Sequence, residues 1–232
     1  MNKQFIPYIA IIIGVISVST AAVLVKLAAD VPSAVTANYR LLFAAILLLP
    51  YILFKRRDEL RKLAKREWIL TIVAGISLAI HYIVWFESFQ YTSVASSTVI
   101  VTLQPIFAFI GTYLFFHERF SAGTVISMLI AIFGSVIIAW GDFQIAGEAL
   151  YGDFLALLGA MFITIYFLLG QGVRTKLSVM SYTFIAYSIG ALTIIAYNLS
   201  VSNPLTGYEP NEWVIFLTLA IVPTILGLNL LN

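Results

Sequence analysis

Eight stretches of nearly unbroken apolar sequence, each close to twenty residues long, run through this chain: roughly 5–28, 34–54, 68–89, 94–116, 121–140, 152–173, 181–200 and 212–232. At a rise of about 1.5 Å per residue, a run of that length crosses the roughly 30 Å hydrocarbon core of a bilayer. Each run is apolar on all sides rather than striped, as lipid-facing or bundle-buried helices are. Runs of β-branched residues, such as Ile11 to Ile13 and Val136 to Ile138, would suggest strands in water. Inside a bilayer every backbone group must be satisfied within the segment, which at this length favours helix. The predicted fold class is therefore all-α, a polytopic membrane protein. Composition agrees: 61% of the 232 residues are hydrophobic and 10% are charged, against about half and about a quarter in soluble domains. The first run has Lys3 ahead of it and small residues at Ala21 and Ala22, like a secretory leader. It is too long for a signal core and a second run follows within a few residues, so it is read as the first transmembrane helix.

Charge placement predicts the orientation. Eight crossings divide the connections into two sets. One set holds Lys3, the basic loop from Lys55 to Arg66, Arg119, and the turn with Arg174 and Lys176. The other holds the loops around Asp30, Tyr91, Asp142 to Asp153, and Asn203 to Glu212. Of the 13 Lys and Arg, all but Lys26 and Arg40 lie in the first set, and those two lie within helices. The positive-inside rule then places the N-terminus in the cytoplasm of a multi-pass plasma-membrane protein, the inner membrane if the source is bacterial. A net charge of only +2 argues against a nucleic-acid partner, and the basic loop reads as a lipid-headgroup anchor. The absence of cysteine excludes disulfides, thiolate metal sites and cysteine nucleophiles.

The chain repeats itself weakly at an offset of 145 residues. Glu67-Trp68 matches Glu212-Trp213, Gly14 matches Gly159, and Ser33 matches Ser178. The offset covers five helices. Five is odd, so the second copy enters the membrane from the opposite side, an inverted repeat of the kind found in secondary transporters. The first unit is expected over 5–140 and the second, with three of five helices, over 150–232. Adding the offset to the end of the fifth helix predicts a finish near residue ~285. The expectation is a ten-helix fold here truncated to about eight helices, with a genuine eight-helix protein as the alternative.

Several segments carry a likeness: Ala37-Asn38-Tyr39-Arg40-Leu41-Leu42-Phe43-Ala44-Ala45 in helix two, Phe89 through Ser96 after helix three, and Gln104-Pro105-Ile106-Phe107-Ala108 in helix four. Phe116-His117-Glu118-Arg119-Phe120-Ser121 at the next turn and Gly134 to Ile138 in helix five extend it. In these segments the chain resembles the EamA-like branch of the drug/metabolite transporter superfamily, over essentially its whole length. The resemblance implies ten helices in two inverted five-helix repeats, cytoplasmic termini, and export or exchange of small metabolites. It also implies an arginine at the position of Arg40 whatever the substrate.

The intramembrane polar residues supply the site candidates. Ser77, His81, Trp85 and Ser88 recur at helical spacing and share one face of helix three. That face is either a cavity wall or a set of interhelical hydrogen bonds with an interfacial tryptophan. The His81 imidazole is also a candidate proton carrier. Arg40 lies about six residues, or roughly 9 Å, into helix two, as an anion-attracting group at the outer mouth or a snorkelling, structurally paired cation. Lys26 reads as a snorkelling side chain with Asp30 one turn on as its partner. Glu87, off the polar face, is a coupling carboxylate or an interfacial one. Pro105, beside Gln104, and Pro223 are expected to kink helices four and eight and free carbonyls toward a cavity. Tyr166 and Asn229 are cavity candidates or packing hydrogen bonds. Glu118 reads as a cap and turn residue. Small residues at Gly123, Ser127, Ala131, Ser135 and Ala139, and at Gly152, Ala156, Ala160 and Thr164, predict close helix packing, with a homodimer face as the second reading.

The functional expectation is a secondary transporter of small, amino-acid-like or amphipathic solutes, driven by a coupling proton or an exchanged solute. No P-loop is present, so a gradient or exchange would supply the energy. An intramembrane enzyme is disfavoured, since the chain has no HExxH, GxSxG or paired intramembrane aspartates. A channel would call for a polar ring or filter, which the runs lack; a non-transporting scaffold has no need of the repeat. No cofactor or metal is expected.

Overall fold

The computed structural model describes residues 6–117, 120–140 and 147–231, and every regular element among them is helical. Helix α1 spans Ile6–Leu27. Helix α2 (Ser33–Tyr51) continues through a π-helical turn (Ile52–Arg56) into the short α3 (Arg57–Arg61). Helix α4 covers Lys65–Ser88. The fourth apolar run forms two helices, α5 (Val94–Val101) and α6 (Gln104–Phe116), and the fifth forms α7 (Ala122–Ala139). Then come α8 (Glu148–Val173) and α9 (Val179–Ser200). The last run begins as α10 (Pro210–Leu219), passes through a π-helical stretch (Ala220–Leu228) and ends as α11 (Asn229–Leu231). Seven of these segments are long and apolar enough to cross a membrane, and α7 supplies a shorter apolar helix between them. Glu118 and Arg119, read from sequence as a turn, lie outside the described residues, as does Lys3.

Local chemistry sets the ends of these helices. Ser93, Ser121 and Ser178 each accept a hydrogen bond from the backbone N–H three residues on, at 3.0, 3.2 and 3.3 Å, which satisfies a donor the first helical turn cannot use. Glu209 and Glu212 form a capping box ahead of α10, with Pro210 at the first helical position. The Gln104-Pro105 prediction is sharpened. Pro105 sits at the second position of a new helix, and α5 ends just before Thr102 and Leu103, so the fourth run is broken rather than bent.

Packing joins early and late parts of the chain. Helix α4 lies along α8 and α9, α2 lies along α9, and α1 lies along the last segment from α10 to α11. Glycines let backbones meet at these crossings. A Cβ on Gly75 would stand 2.8 Å from Ile189 Cβ and 2.9 Å from the Ala186 carbonyl oxygen, and one on Gly152 would stand 2.8 Å from the Thr92 nitrogen. Large side chains fill the interior, among them Leu78, Tyr82, Phe86, Tyr182, Tyr187 and Leu219. Ile12, Ile16, Val23, Ile130, Phe133 and Leu192 are exposed, an apolar exterior suited to lipid. The two rows of small residues part company here. Gly152, Ala156, Ala160 and Thr164 are buried in α8 beneath α4, as expected. In α7, Gly123, Ser127 and Ala131 are exposed, so the described side chains of that row are not buried in a helix crossing; those of Ser135 and Ala139 lie outside the described residues.

At one end of the bundle Glu59, in α3, reaches the start of α9. Its Oε2 accepts from the Ser178 N–H at 3.1 Å, the Ser178 hydroxyl at 2.7 Å and the Ser181 hydroxyl at 2.6 Å. Its Oε1 pairs with Arg56 Nη1 at 2.7 Å. Beside it Lys176 pairs with Glu67 at the head of α4. A carboxylate at a helix N-terminus satisfies free N–H groups and the helix dipole together. Glu59→Ala is therefore expected to cost about 1–2 kcal/mol, with Glu59→Gln recovering part of it, as read from thermal unfolding in detergent.

Candidate functional site

The break in the fourth run and the π-helical stretch of the last one open a cavity of about 180 Å³ inside the bundle. Arg40, His81, Tyr82, Trp85, Thr98, Thr102 and Gln104 bring polar or aromatic atoms to its wall, and Val18, Ile163, Phe167, Leu228 and Leu231 supply apolar surface.

Three of the four residues of the predicted α4 face are explained by what they bond. His81, 4% exposed, bonds the Gly159 carbonyl oxygen through Nδ1 at 2.9 Å. A carbonyl accepts only, so Nδ1 carries the proton and neutral imidazole keeps Nε2 as an acceptor. Its ring stacks on Trp85, centroids 5.4 Å apart. Ser77 donates to the Val73 carbonyl at 2.9 Å, one turn back in its own helix. Ser88 bonds the Trp85 carbonyl and the Ser97 hydroxyl, tying α4 to α5. His81 and Trp85 line the cavity; Ser77 and Ser88 do not.

Arg40 is structurally paired, as one of its sequence readings had it, but deep in the bundle. It neither stands at an outer mouth nor snorkels: it is 2% exposed and lines the cavity. Its Nε donates to Thr224 Oγ1 at 2.7 Å, and its guanidinium carbon lies 4.4 Å from the centre of the Tyr82 ring, a favourable cation–π contact. Thr224 follows Pro223 in the π-helical stretch. Proline has no N–H to offer the carbonyl four residues back, that of Leu219. Thr224 Oγ1 donates to that carbonyl, at 2.8 Å, and its lone pairs remain for Arg40. The predicted effect of Pro223 is present as a π-helical stretch rather than a simple kink.

The other candidates fall outside the cavity wall, apart from Gln104. Tyr166 is fully buried, its ring stacked on Tyr182 and its carbonyl accepting the Tyr182 hydroxyl at 2.7 Å. Asn229 accepts from Tyr187 at 2.8 Å. Both are packing hydrogen bonds, the second of the readings the sequence left open. Glu87 is half-buried in a separate polar recess with Asp30, Gln90 and Asn203. Lys26 and Asp30 are exposed, and no ion pair joins them. Sequence reasoning passed over Thr98 and Thr102. Two hydroxyls one helical turn apart in an apolar run, just ahead of Gln104-Pro105, were the available signal. It also passed over Asp153, which is buried and accepts from Thr92 at 2.8 Å and Ser96 at 3.0 Å, fixing the start of α8 to that of α5. Among the described residues no group of acidic, histidine or cysteine side chains is placed to hold a metal.

Similar proteins agree with this architecture. A solved crystal structure superposes with a TM-score of 0.72 at 18% identity, over 95% of this chain and 77% of that one, so the two share a fold. The uncharacterized transporter YxxF of Bacillus subtilis (strain 168) is 27% identical over 138 residues, 59% of this chain and 44% of that protein. An uncharacterized transporter of Archaeoglobus fulgidus is 23% identical over 192 residues, 80% of this chain and 64% of that protein. The chain thus spans less than two thirds of the length of these curated relatives. The EamA-like transporter family matches residues 5–140, more than half of the sequence, and the chain belongs to that family.

Proposed function

We propose that this chain forms the substrate-binding core of a secondary transporter that exports or exchanges small metabolites, amino-acid-like or amphipathic, by alternating access between two inverted halves. The observation that carries the reading is the cavity. Its wall is drawn from α1, α2, α4 and α5 of the first half and from α8 and the last segment of the second. The pairing of helices supports it further. Exchanging the halves turns the α1 contact with the last segment into the α8 contact with α4, and both contacts are present. Helix α4 begins at Lys65 and α10 at Pro210, which keeps the offset seen in the sequence. Two similar halves of opposite orientation rock about a shared site at little cost. The basic side, with Lys55 to Arg66, Arg174 and Lys176, is the cytoplasmic one in this reading.

The test is uptake of a broad metabolite panel by the full native protein in proteoliposomes, with and without a proton gradient. Transport of at least one solute is expected. His81→Ala and Trp85→Ala should each lower it by about tenfold or more while insertion into the membrane is retained, since each removes part of the cavity wall. A correctly folded protein that moves nothing, or wild-type rates in both variants, refutes the reading.

A further inference from the structure

The cavity holds a positive charge that no carboxylate among the described residues pairs with. Arg40 is buried, and of the ion pairs among the described residues, Arg56 with Glu59 and Lys176 with Glu67, neither includes it. No Asp or Glu lines the cavity. Thr224 and the Tyr82 ring engage Nε and one face of the guanidinium, but Arg40 Nη1 has no hydrogen-bond partner. Two further buried donors in the same wall are also unpaired, Trp85 Nε1 and Thr98 Oγ1. Buried polar groups are ordinarily satisfied, and a buried cation without a counter-ion is the costliest exception. Three unsatisfied groups that can all donate, each on a residue that lines one cavity holding one formal positive charge, suit an anion.

We propose that the cavity binds an amphipathic organic carboxylate, its carboxylate received by Arg40 Nη1 with Trp85 Nε1 and Thr98 Oγ1, and its apolar part against Ile163, Phe167 and Leu228. The volume holds about six waters' worth of matter, so the solute is small. An arginine fork matches a planar carboxylate better than a spherical ion. A zwitterionic amino acid fits less well, because its ammonium finds no carboxylate in the wall. The inference rests on the transport reading for what the site is for, but binding itself is measurable without transport.

The test is equilibrium binding by calorimetry to the whole chain in nanodiscs, using hexanoate and benzoate, each against its neutral amide, with sodium chloride and phosphate as separate arms. Each carboxylate should bind at least roughly tenfold more tightly than its amide. Arg40→Gln should erase that difference. Arg40→Gln also disturbs the Thr224 contact, so Trp85→Phe and Thr98→Val serve as near-isosteric second variants. Each should weaken carboxylate binding several-fold, and more than it weakens amide binding. Equal binding of acid and amide to the wild-type protein overturns the proposal. So does binding of chloride or phosphate in preference to both carboxylates, which assigns the site to an inorganic anion. A protein that discriminates acid from amide yet transports nothing refutes the transport reading and leaves this one standing.

Discussion

Gly75→Leu is expected to destabilise the folded bundle by about 3 kcal/mol or more, with loss of the monodisperse protein in mild detergent. At this point α4 crosses α9 with almost nothing between the backbones. The first added carbon would already stand 2.8 Å from Ile189 Cβ and 2.9 Å from the Ala186 carbonyl oxygen. Neither of those atoms is the free end of a flexible side chain, so one helix must move. The same crossing is tight from α9, where a Cβ on Gly190 would meet the Gly75 carbonyl oxygen at 3.3 Å, and moving α4 away from α9 disturbs its packing against α8. Gly172→Leu is the matched control. A Cβ there meets nothing within 4 Å, and leucine is the better helix former by about 0.5–1 kcal/mol. Thermal unfolding should separate the two variants widely. Similar melting temperatures would show that α4 and α9 do not cross this closely.

Thr224→Val carries the second large effect. Valine keeps the shape of threonine and removes one oxygen, but that oxygen serves two buried partners, the Leu219 carbonyl at 2.8 Å and Arg40 Nε at 2.7 Å. Each partner left unsatisfied costs about 1–3 kcal/mol, more for the charged one. The Leu219 carbonyl keeps the Thr224 N–H of the π-helical turn, so the expected loss is about 1–3 kcal/mol, mainly from the Arg40 donor, and Thr224→Ser, which restores the hydroxyl, should recover most of it. The readout is again thermal unfolding. A Thr224→Val protein as stable as the wild type would break the link from Thr224 to Arg40.

These two sites also show what the sequence could and could not convey. The spans were legible because a bilayer sets a minimum length for an apolar run, and the helices start and stop within a few residues of the runs. The polar face of α4 was legible from spacing alone, and His81 and Trp85 do line a cavity. Which of its members would be consumed by packing was not. Ser77 and Ser88 look like His81 in the sequence, but their hydroxyls reach nearby carbonyls of their own helix, and such competition is decided by rotamers and neighbours. Tyr166 and Asn229 stayed open between two readings for the same reason, since a buried tyrosine or asparagine marks a hydrogen bond without saying to what. Arg40 was the hardest. Its partner lies 184 residues away, on the last helical segment. No local pattern around Arg40 encodes that.

The π-helical stretch at Ala220–Leu228 bears on how the two halves are compared. A π turn accommodates one more residue than the α turn it replaces, and α4, its counterpart in the proposed repeat, is α-helical from Lys65 to Ser88. A residue-for-residue correspondence that starts at Lys65 and Pro210 therefore slips by one position beyond the stretch. At about 100° per residue, that slip turns the end of the last helix by more than a quarter of a circle. Leu228 and Leu231 face the cavity after that turn has been made. In the proposed two-halves reading the second unit is therefore not a residue-for-residue copy of the first beyond the stretch, and that asymmetry falls in the segment that carries Thr224, the partner of Arg40.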